Sequence, residues 1–198
     1  MPKASLVEKY LDALKTTLLT ITFVSDEALN YFTKKLILRS YKKNEIYIRK
    51  NEVVNKLAYI ISGAARIFFE LKEKDNTMFF TFEGSLLTVL DSLTLNTPSN
   101  YSVEFIEDTK LFEINKADME DVLIKYPIFE KVGRLLIEKL IIDLYQLQIL
   151  QKLSSKEKYK KILDLEPHLI LRTKNKHLCS YLNITEQSLS RLKSEIKN

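Results

Sequence analysis

The sequence predicts an α+β fold, in which a β-roll or jelly-roll domain with flanking helices precedes a long helix and a small helical domain. Short β-type runs crowd together between about residues 37 and 115, whereas helical periodicity dominates on either side. Charge is divided in the same way, because the whole net charge of +5 belongs to residues 156–198, with 10 Lys and Arg against 5 Asp and Glu. A basic segment on a neutral body is typical of a nucleic-acid-binding module, although a solvated lysine-rich face has the same composition.

Two helices are predicted before the β-type region, over residues 5–20 and 26–36. Ser25 precedes two acidic residues and is a suitable N-cap for the second helix. Apolar residues recur at helical spacing in the first helix, at Leu6, Tyr10, Leu14 and Leu18.

Six or more short strands are predicted, and their close spacing favours a sandwich or jelly-roll barrel. The runs are Ile46–Ile48, Leu57–Ile61, Ala65–Phe69, Thr77–Phe82, Ser102–Phe105 and Thr109–Ile114. Turn residues separate them at Asn51–Glu52, Ser62–Gly63, Lys74–Asn76 and Glu107–Asp108. Because the chain contains only 3 glycines, we expect asparagine to fill some of the turns.

The longest helical pattern covers about residues 128–152, after a shorter helix that begins near Asn115 and ends at Tyr126–Pro127. Its apolar surface is wider than one packed face requires, which indicates either a twin subunit on a second side or burial within one chain. The widened stripe consists of Val132, Leu135, Leu136, Ile137, Leu140, Ile141, Ile142, Leu144, Leu147 and Leu150. Ser155 is the predicted N-cap of the helix that follows.

Residues 177–193 have the pattern of two short helices joined by a tight turn. Asn183 tolerates the left-handed conformation that such a turn needs, and Thr185 is a suitable N-cap for the second helix. The predicted inward positions are Leu178, Tyr181, Leu182, Ile184, Leu189, Leu192 and Ile196. The outward positions are Glu186, Gln187, Ser188, Ser190, Arg191 and Lys193, which suit base edges and phosphates. An ordinary helical pair with a solvated face remains the alternative.

Several other classes of protein are not supported by the sequence. No apolar run approaches the roughly 20 residues of a membrane span, and no signal core follows the N-terminus, so we expect a cytoplasmic protein. Cys179 is the only cysteine, and His168 and His177 have no partners at metal-ligand spacing, although His177 could approach a phosphate. We therefore predict no metal, no cofactor and no enzymatic activity.

The order of a β-roll, a long helix and a helix-turn-helix resembles the Crp/Fnr family of bacterial transcription regulators, most closely its Bacteroidetes-type members. The resemblance is most specific in the C-terminal third, and it is looser in the β-rich part. It is carried by Ser154–Tyr159, Leu163, Glu166–Pro167, Leu182–Thr185 and Leu189–Arg191, and by Tyr59–Arg66 and Phe82–Leu86. It divides the chain into a cyclic-nucleotide-binding-like domain (1–127), a dimerisation helix (128–153) and a DNA-binding domain (154–198).

The resemblance also locates a candidate effector pocket at Gly84, Ser85, Leu86, Ser99 and Asn100. Cyclic-nucleotide-binding members use a Gly-Glu-Leu segment for the ribose and an arginine for the phosphate. Here Ser85 replaces the glutamate, and no arginine occurs between Glu83 and Asp108. Because a buried phosphate needs charge-assisted bonds, we expect no high-affinity binding of cyclic AMP, and micromolar binding in a calorimetric titration would contradict this.

The resemblance implies a homodimer that binds double-stranded DNA, with an unknown small-molecule effector and RNA polymerase as further candidate partners. Gln187, Ser190, Arg191 and Glu186 are the implied base-reading residues, and Glu186 could instead hold Arg191 in place. The implied phosphate contacts are Thr185, Ser188, Lys193, Lys174 and Lys176. Because the chain stops soon after Ile196, we expect the C-terminal wing of the family to be absent. A ligand-sensing or protein-interaction module that does not bind DNA is the alternative function.

Overall fold

The computed structural model describes residues 3–197 and, within them, the side chains of residues 6–195. Two helices, α1 (Lys3–Ile21) and α2 (Asp26–Lys34), precede the β-rich region. Its strands are β1 (Ile37–Tyr41), β2 (Ile46–Ile48), β3 (Lys56–Ser62), β4 (Ala64–Leu71), β5 (Lys74–Phe82), β6 (Leu86–Leu87), β7 (Ser102–Phe105) and β8 (Thr109–Asn115). The remaining helices are α3 (Leu90–Leu95), α4 (Lys116–Lys125), α5 (Ile128–Lys152), α6 (Ser155–Leu165), α7 (Pro167–Arg172), α8 (Asn175–Leu182) and α9 (Glu186–Lys197).

The strands form two four-stranded antiparallel sheets, in the orders β1-β8-β3-β6 and β2-β7-β4-β5. Alternating apolar residues of both sheets fill the space between them, and the most buried include Ile48, Ile60, Val103 and Phe105. The predicted α+β architecture is therefore confirmed. All six predicted strands are present, whereas β1, β6 and the short helix α3 were not predicted individually.

The β4–β5 turn differs from the prediction. Lys72 and Glu73 form it with φ values of 51° and 61°, while Lys74–Asn76 pair within β5. Two successive positive φ angles define the tight hairpin turn whose twist matches the strands. The turn was missed because Lys-Glu lacks the Asn and Gly residues that normally mark it. The predicted use of asparagine is confirmed elsewhere, because Asn44, Asn51, Asn96 and Asn183 all have positive φ.

A second apolar core joins the helices before and after the strands to the first sheet. Phe32 of α2 lies 5.0 Å from Phe129 at the start of α5, measured between ring centroids. Beyond Val132, only Leu150 is fully buried along α5, so most of this helix lies outside the core. Within residues 3–197, no helix has both the length and the apolarity required to cross a lipid bilayer.

The four C-terminal helices α6–α9 pack around a third core that includes Leu169, Leu178, Leu182, Leu189 and Leu192. Ser154, not Ser155, is the N-cap of α6, because its side chain accepts from the Glu157 backbone N–H while Glu157 caps the Ser154 backbone in return. The Glu at the third helical position favours this reciprocal box over a single cap at Ser155. The described residues end within α9, so the absence of a wing remains a prediction, as does the division into domains.

Candidate nucleic-acid interface

The turn between α8 and α9 has the predicted geometry. Asn183 adopts the left-handed conformation, with φ 52° and ψ 53°, and ends α8. Its N–H and the N–H of Ile184 bond back to carbonyls of the last turn of α8. Thr185 then accepts a hydrogen bond from the backbone N–H of Ser188 at 3.1 Å, which caps the first turn of α9.

The predicted inward face of this helix pair is also confirmed. Leu178, Leu182, Leu189 and Leu192 are each at most 2% exposed, and Tyr181 and Ile184 are half-buried around them. The side chain of Ile196, the last predicted inward position, lies outside the described residues. Packing of this face fixes which side of α9 is directed to solvent.

The outward face of α9 carries the four predicted base-reading residues. Glu186, Gln187, Ser190 and Arg191 are all exposed. Arg191 is 72% exposed, and its nearest carboxylate is Glu195, with 3.8 Å between Nε and Oε1. Glu195, one turn further along, therefore occupies the position that Glu186 was considered to fill beside Arg191. This i,i+4 contact is long and exposed, so Arg191 can exchange it for another acceptor at little cost.

The predicted phosphate contacts occupy different surroundings. Thr185 and Ser188 lie at the first turn of α9, where Thr185 Oγ1 donates to Ser188 Oγ at 2.9 Å. Lys193 Nζ donates to Asn175 Oδ1 at 2.7 Å and so ties α9 to the start of α8. Lys176 is exposed. Lys174 instead reaches the β-roll, where its Nζ donates to Asn44 Oδ1 at 3.0 Å.

Two cations of the basic C-terminal segment bond to groups of the protein itself, Lys158 in the interior and Arg172 at a partly exposed contact with the β-roll. Lys158 is only 5% exposed. Arg172 is the other one. It donates from Nε and Nη2 to both carboxylate oxygens of Glu107 at 2.9 and 2.8 Å, and from Nη1 to Glu83 at 2.9 Å. Both acceptors belong to the β-roll, so Arg172 clamps the C-terminal helices onto it.

A wider contact joins α8 to the outer face of β5. Ser180 Oγ accepts from the backbone N–H of Thr77 at 2.7 Å, and the Tyr181 and Phe80 rings meet edge to face at 5.3 Å. His168 packs on Phe82 in the same way, with the ring centroids 4.6 Å apart. The helix-turn-helix therefore packs on the β-roll of its own chain, through contacts that we call the α8 seat.

His177 is part of this seat and does not face outward toward a phosphate. It is 3% exposed, and burial, followed by the nearby Arg66 guanidinium, lowers its pKa to about 4. At neutral pH it is therefore an uncharged core residue of α8. The suggestion of a phosphate contact at His177 is wrong, because the position faces β4 and β5 and not the α9 surface.

The candidate effector residues lie on two separate segments of the β-roll. Gly84 and Ser85 bond through their backbones to Ile60, and Leu86 begins β6. Ser99 is 1% exposed, and its hydroxyl donates to the carbonyl of Tyr101 while it accepts from the N–H of the same residue. No hydrogen bond joins these two segments, all of whose residues are described. The apolar core between the sheets fills the interior of the roll next to them.

One surface cavity of about 260 Å³ does include Asn100. Its other lining residues are Arg49, Lys50, Phe68, Phe69, Glu70 and Ser102. Phe68 pairs with Ser102 across β4 and β7, on the same face as the Arg66–Glu104 pair, so this cavity lies outside the roll. No cluster of three metal-ligating residues occurs in the described part of the chain.

Comparison with known proteins assigns the β-rich region to a family. Residues 38–126 match the cyclic nucleotide-binding domain family. A search of curated proteins gives no match. The predicted kinship with Bacteroidetes-type members stays a prediction.

Solved structures match the fold of nearly the whole chain. FixK2 from Bradyrhizobium japonicum is 16% identical with a TM-score of 0.68, and the match covers 82% of this chain and 84% of that one. The c-di-GMP responsive regulator CLP from Xanthomonas campestris is 15% identical with a TM-score of 0.67, and the match covers 87% and 92%. A Crp/Fnr-family regulator from Eubacterium rectale is 15% identical with a TM-score of 0.65, and the match covers 88% and 84%. Residues 38–126 thus match the cyclic nucleotide-binding domain family, and the chain has the fold of these solved structures, one of which is a regulator of the Crp/Fnr family.

Proposed function

We propose that this chain is a sequence-specific DNA-binding transcription regulator that acts as a homodimer in the cytoplasm. The observation that carries the proposal is the exposed polar face of α9, which a capped turn and a buried leucine face hold in a fixed orientation. A rigid helix with exposed Gln, Ser and Arg side chains suits the major groove, where each base pair presents a distinct pattern of donors and acceptors.

The surface of α5 supports the homodimer. Its apolar side chains beyond the core remain between 37% and 61% exposed in the single chain. They are Ile137, Leu140, Ile141, Ile142, Leu144, Tyr145 and Ile149. A second copy of α5 would cover this surface and would direct the two α9 helices toward successive major grooves, about 34 Å apart.

Arg191 is the residue proposed to contribute most to base reading. Its guanidinium can bond O6 and N7 of a guanine together, and Gln187 can read an adenine in the same way. We assign the phosphate-contacting role to Thr185, Ser188, Lys193 and Lys176, with Lys174 available only after its bond to Asn44 breaks. RNA polymerase and an unidentified small molecule remain candidate partners, and cyclic AMP is not proposed as the effector.

Selection of bound fragments from random DNA, followed by gel-shift titration, tests the proposal. We expect Arg191→Ala to weaken binding to the selected site by about 1–3 kcal/mol and to relax specificity at one base pair. Arg134→Ala is the matched control, because Arg134 is also an exposed arginine with a glutamate at i+4, but on α5. Equal losses on selected and random DNA would contradict base reading by Arg191.

Salt dependence separates this function from the alternative. DNA binding should weaken steeply as salt rises, because phosphate contacts release counterions. A chain that binds no DNA at low salt would support the protein-interaction module in its place.

A further inference from the structure

Two side chains from outside the helix pair bond the last two carbonyls of α8. Gln151 Nε2 donates to the carbonyl of Tyr181 at 2.8 Å, and Lys158 Nζ donates to the carbonyl of Leu182 at 2.9 Å. Lys158 Nζ also lies 3.5 Å from Gln151 Oε1, so the two side chains contact each other. Gln151 belongs to the final turn of α5, and Lys158 belongs to the first turns of α6.

These bonds complete the hydrogen bonding of the helix end. The last four carbonyls of a helix have no partner within it. Here the backbone N–H groups of Ile184 and Asn183 bond to the first two of them, those of Cys179 and Ser180. Gln151 and Lys158 supply the donors for the other two. The turn that leads into α9 is therefore fixed partly by its own backbone and partly by α5 and α6.

Lys158 is an unusual choice for this position. It is 5% exposed, and the partners of its ammonium group among the described residues are two neutral oxygens, Gln151 Oε1 and the Leu182 carbonyl. Burial of a cation opposes folding, whereas a methionine of similar length would avoid that penalty. The helix C-terminus offers partial negative charge in compensation. Because an apolar residue could fill this position without that penalty, the hydrogen bonds of Lys158 point to a role in geometry.

The two hydrogen bonds connect α5 and α6 to the turn that leads into α9. The helix α5 carries the exposed apolar surface, and α9 begins at Glu186, four residues after Leu182. We propose that Gln151 and Lys158 are positioning residues that fix the angle between α5 and α9, and thereby the separation of the two α9 helices in the dimer. This inference rests on the proposed DNA-binding function.

Lys158→Met tests the proposal, and Lys160→Met is the matched control. Both substitutions remove one positive charge from α6, but Lys160 is exposed. We expect Lys158→Met to weaken binding to the selected DNA site at least tenfold while random DNA binds as before. The slope of log affinity against log salt should not change, because Lys158 contacts no phosphate. A slope reduced by about one ion would instead identify a phosphate contact and overturn the proposal.

Hydrogen exchange gives a second measurement that does not depend on DNA. The amides of Asn183 and Ile184 should exchange faster in Lys158→Met than in Lys160→Met, because the turn loses one of its anchors. If the wild-type chain binds no DNA, the proposed function fails, while the exchange experiment still tests the anchor. If Lys158→Met does not fold, Gln151→Leu removes the neighbouring bond and is expected to shift affinity and exchange in the same direction. Variants that match Lys160→Met in both measurements would refute the positioning role.

Discussion

Arg66 of β4 and Lys158 of α6 are two buried cations close to α8, and they differ in what neutralises them. Arg66 is 3% exposed and donates to Glu104 at 2.7 Å, to Asp75 at 2.6 Å and to Thr77 at 3.1 Å. Its guanidinium also lies 4.0 Å from the centre of the Phe68 ring. Among the side chains that the structure describes, Lys158 has only carbonyl and amide oxygens around its ammonium group.

The difference separates stability from geometry. Removal of Arg66 leaves two carboxylates facing each other beneath α8, of which Glu104 is largely buried. Removal of Lys158 leaves one carbonyl without a donor. We therefore expect Arg66 to govern how stably α8 packs on the β-roll. We expect Lys158 to govern the orientation of α9.

Arg66→Met should give the largest effect on stability. We expect the free energy of unfolding to fall by about 3–5 kcal/mol, because an ion pair broken from one side leaves an uncompensated charge. Urea denaturation measures the change. Arg134→Met, which removes an exposed pair with Glu138, is expected to cost less than about 0.5 kcal/mol. If the two variants lost equal stability, the buried network would not be the main support of the α8 seat.

The pH dependence of stability sharpens the same comparison through His177. The folded chain holds its pKa at about 4, against 6.5 for an ordinary histidine, so the unfolded chain binds more protons between these values. The contribution of His177 to the free energy of unfolding should therefore be fully present above pH 6.5. It should be lost as the pH drops toward 4, by up to roughly 3 kcal/mol. The charged groups that face His177 are Arg66, Asp75, Lys176 and Glu104.

His177→Gln should flatten this part of the pH profile, as followed by thermal melting at fixed ionic strength. Asp75 does not interfere, because burial raises its pKa but Arg66 more than offsets that effect, so its pKa is lowered and it loses its charge below the window. An unchanged slope in the variant would assign the pH dependence to other groups.

Arg172→Gln should have the smallest effect. Arg172 is 26% exposed and its two glutamates are 28% and 46% exposed, so solvent screens the clamp. We expect a loss of about 1 kcal/mol at low salt that shrinks at high salt. Lys174→Gln, which alters only the bond to Asn44, is the control and should change stability by less than about 0.5 kcal/mol. A loss that is independent of salt would show that packing on Phe82 dominates at Arg172.

Local signals in the sequence were sufficient to predict most elements and the turn between α8 and α9. Short β-type runs between turn residues predicted the strands, and the Asn183–Thr185 turn was predicted because its chemistry lies within three consecutive residues. Ser154 was missed as a cap by one position, and Lys72–Glu73 was missed because neither residue favours a positive φ. These errors arise where two adjacent residues compete or where the fold overrides local preference.

The inward-facing polar residues were not predictable in the same way. Lys158 and Arg172 were counted in the basic segment, and His177 was suggested as a phosphate contact. Lys158 instead bonds a carbonyl 24 residues away, and Arg172 bonds carboxylates 65 and 89 residues away. His177 faces Arg66 and Asp75, both more than 100 residues away. No periodicity marks such a partner, because the pairing depends on how the C-terminal helices pack against the roll. Charge counts therefore locate the basic domain but do not identify which cations remain available to DNA.

Cys179 gives the core of the C-terminal helices a built-in reporter of its own opening. It is the only thiol in the chain, it is 5% exposed, and burial raises its pKa. A thiol reagent can reach it only when this helical core opens, so the labelling rate of the unmodified protein measures how often α8 separates from the helices packed on it. Effector candidates and DNA fragments can then be ranked by how much they slow or speed a single chemical reaction, without any engineered probe.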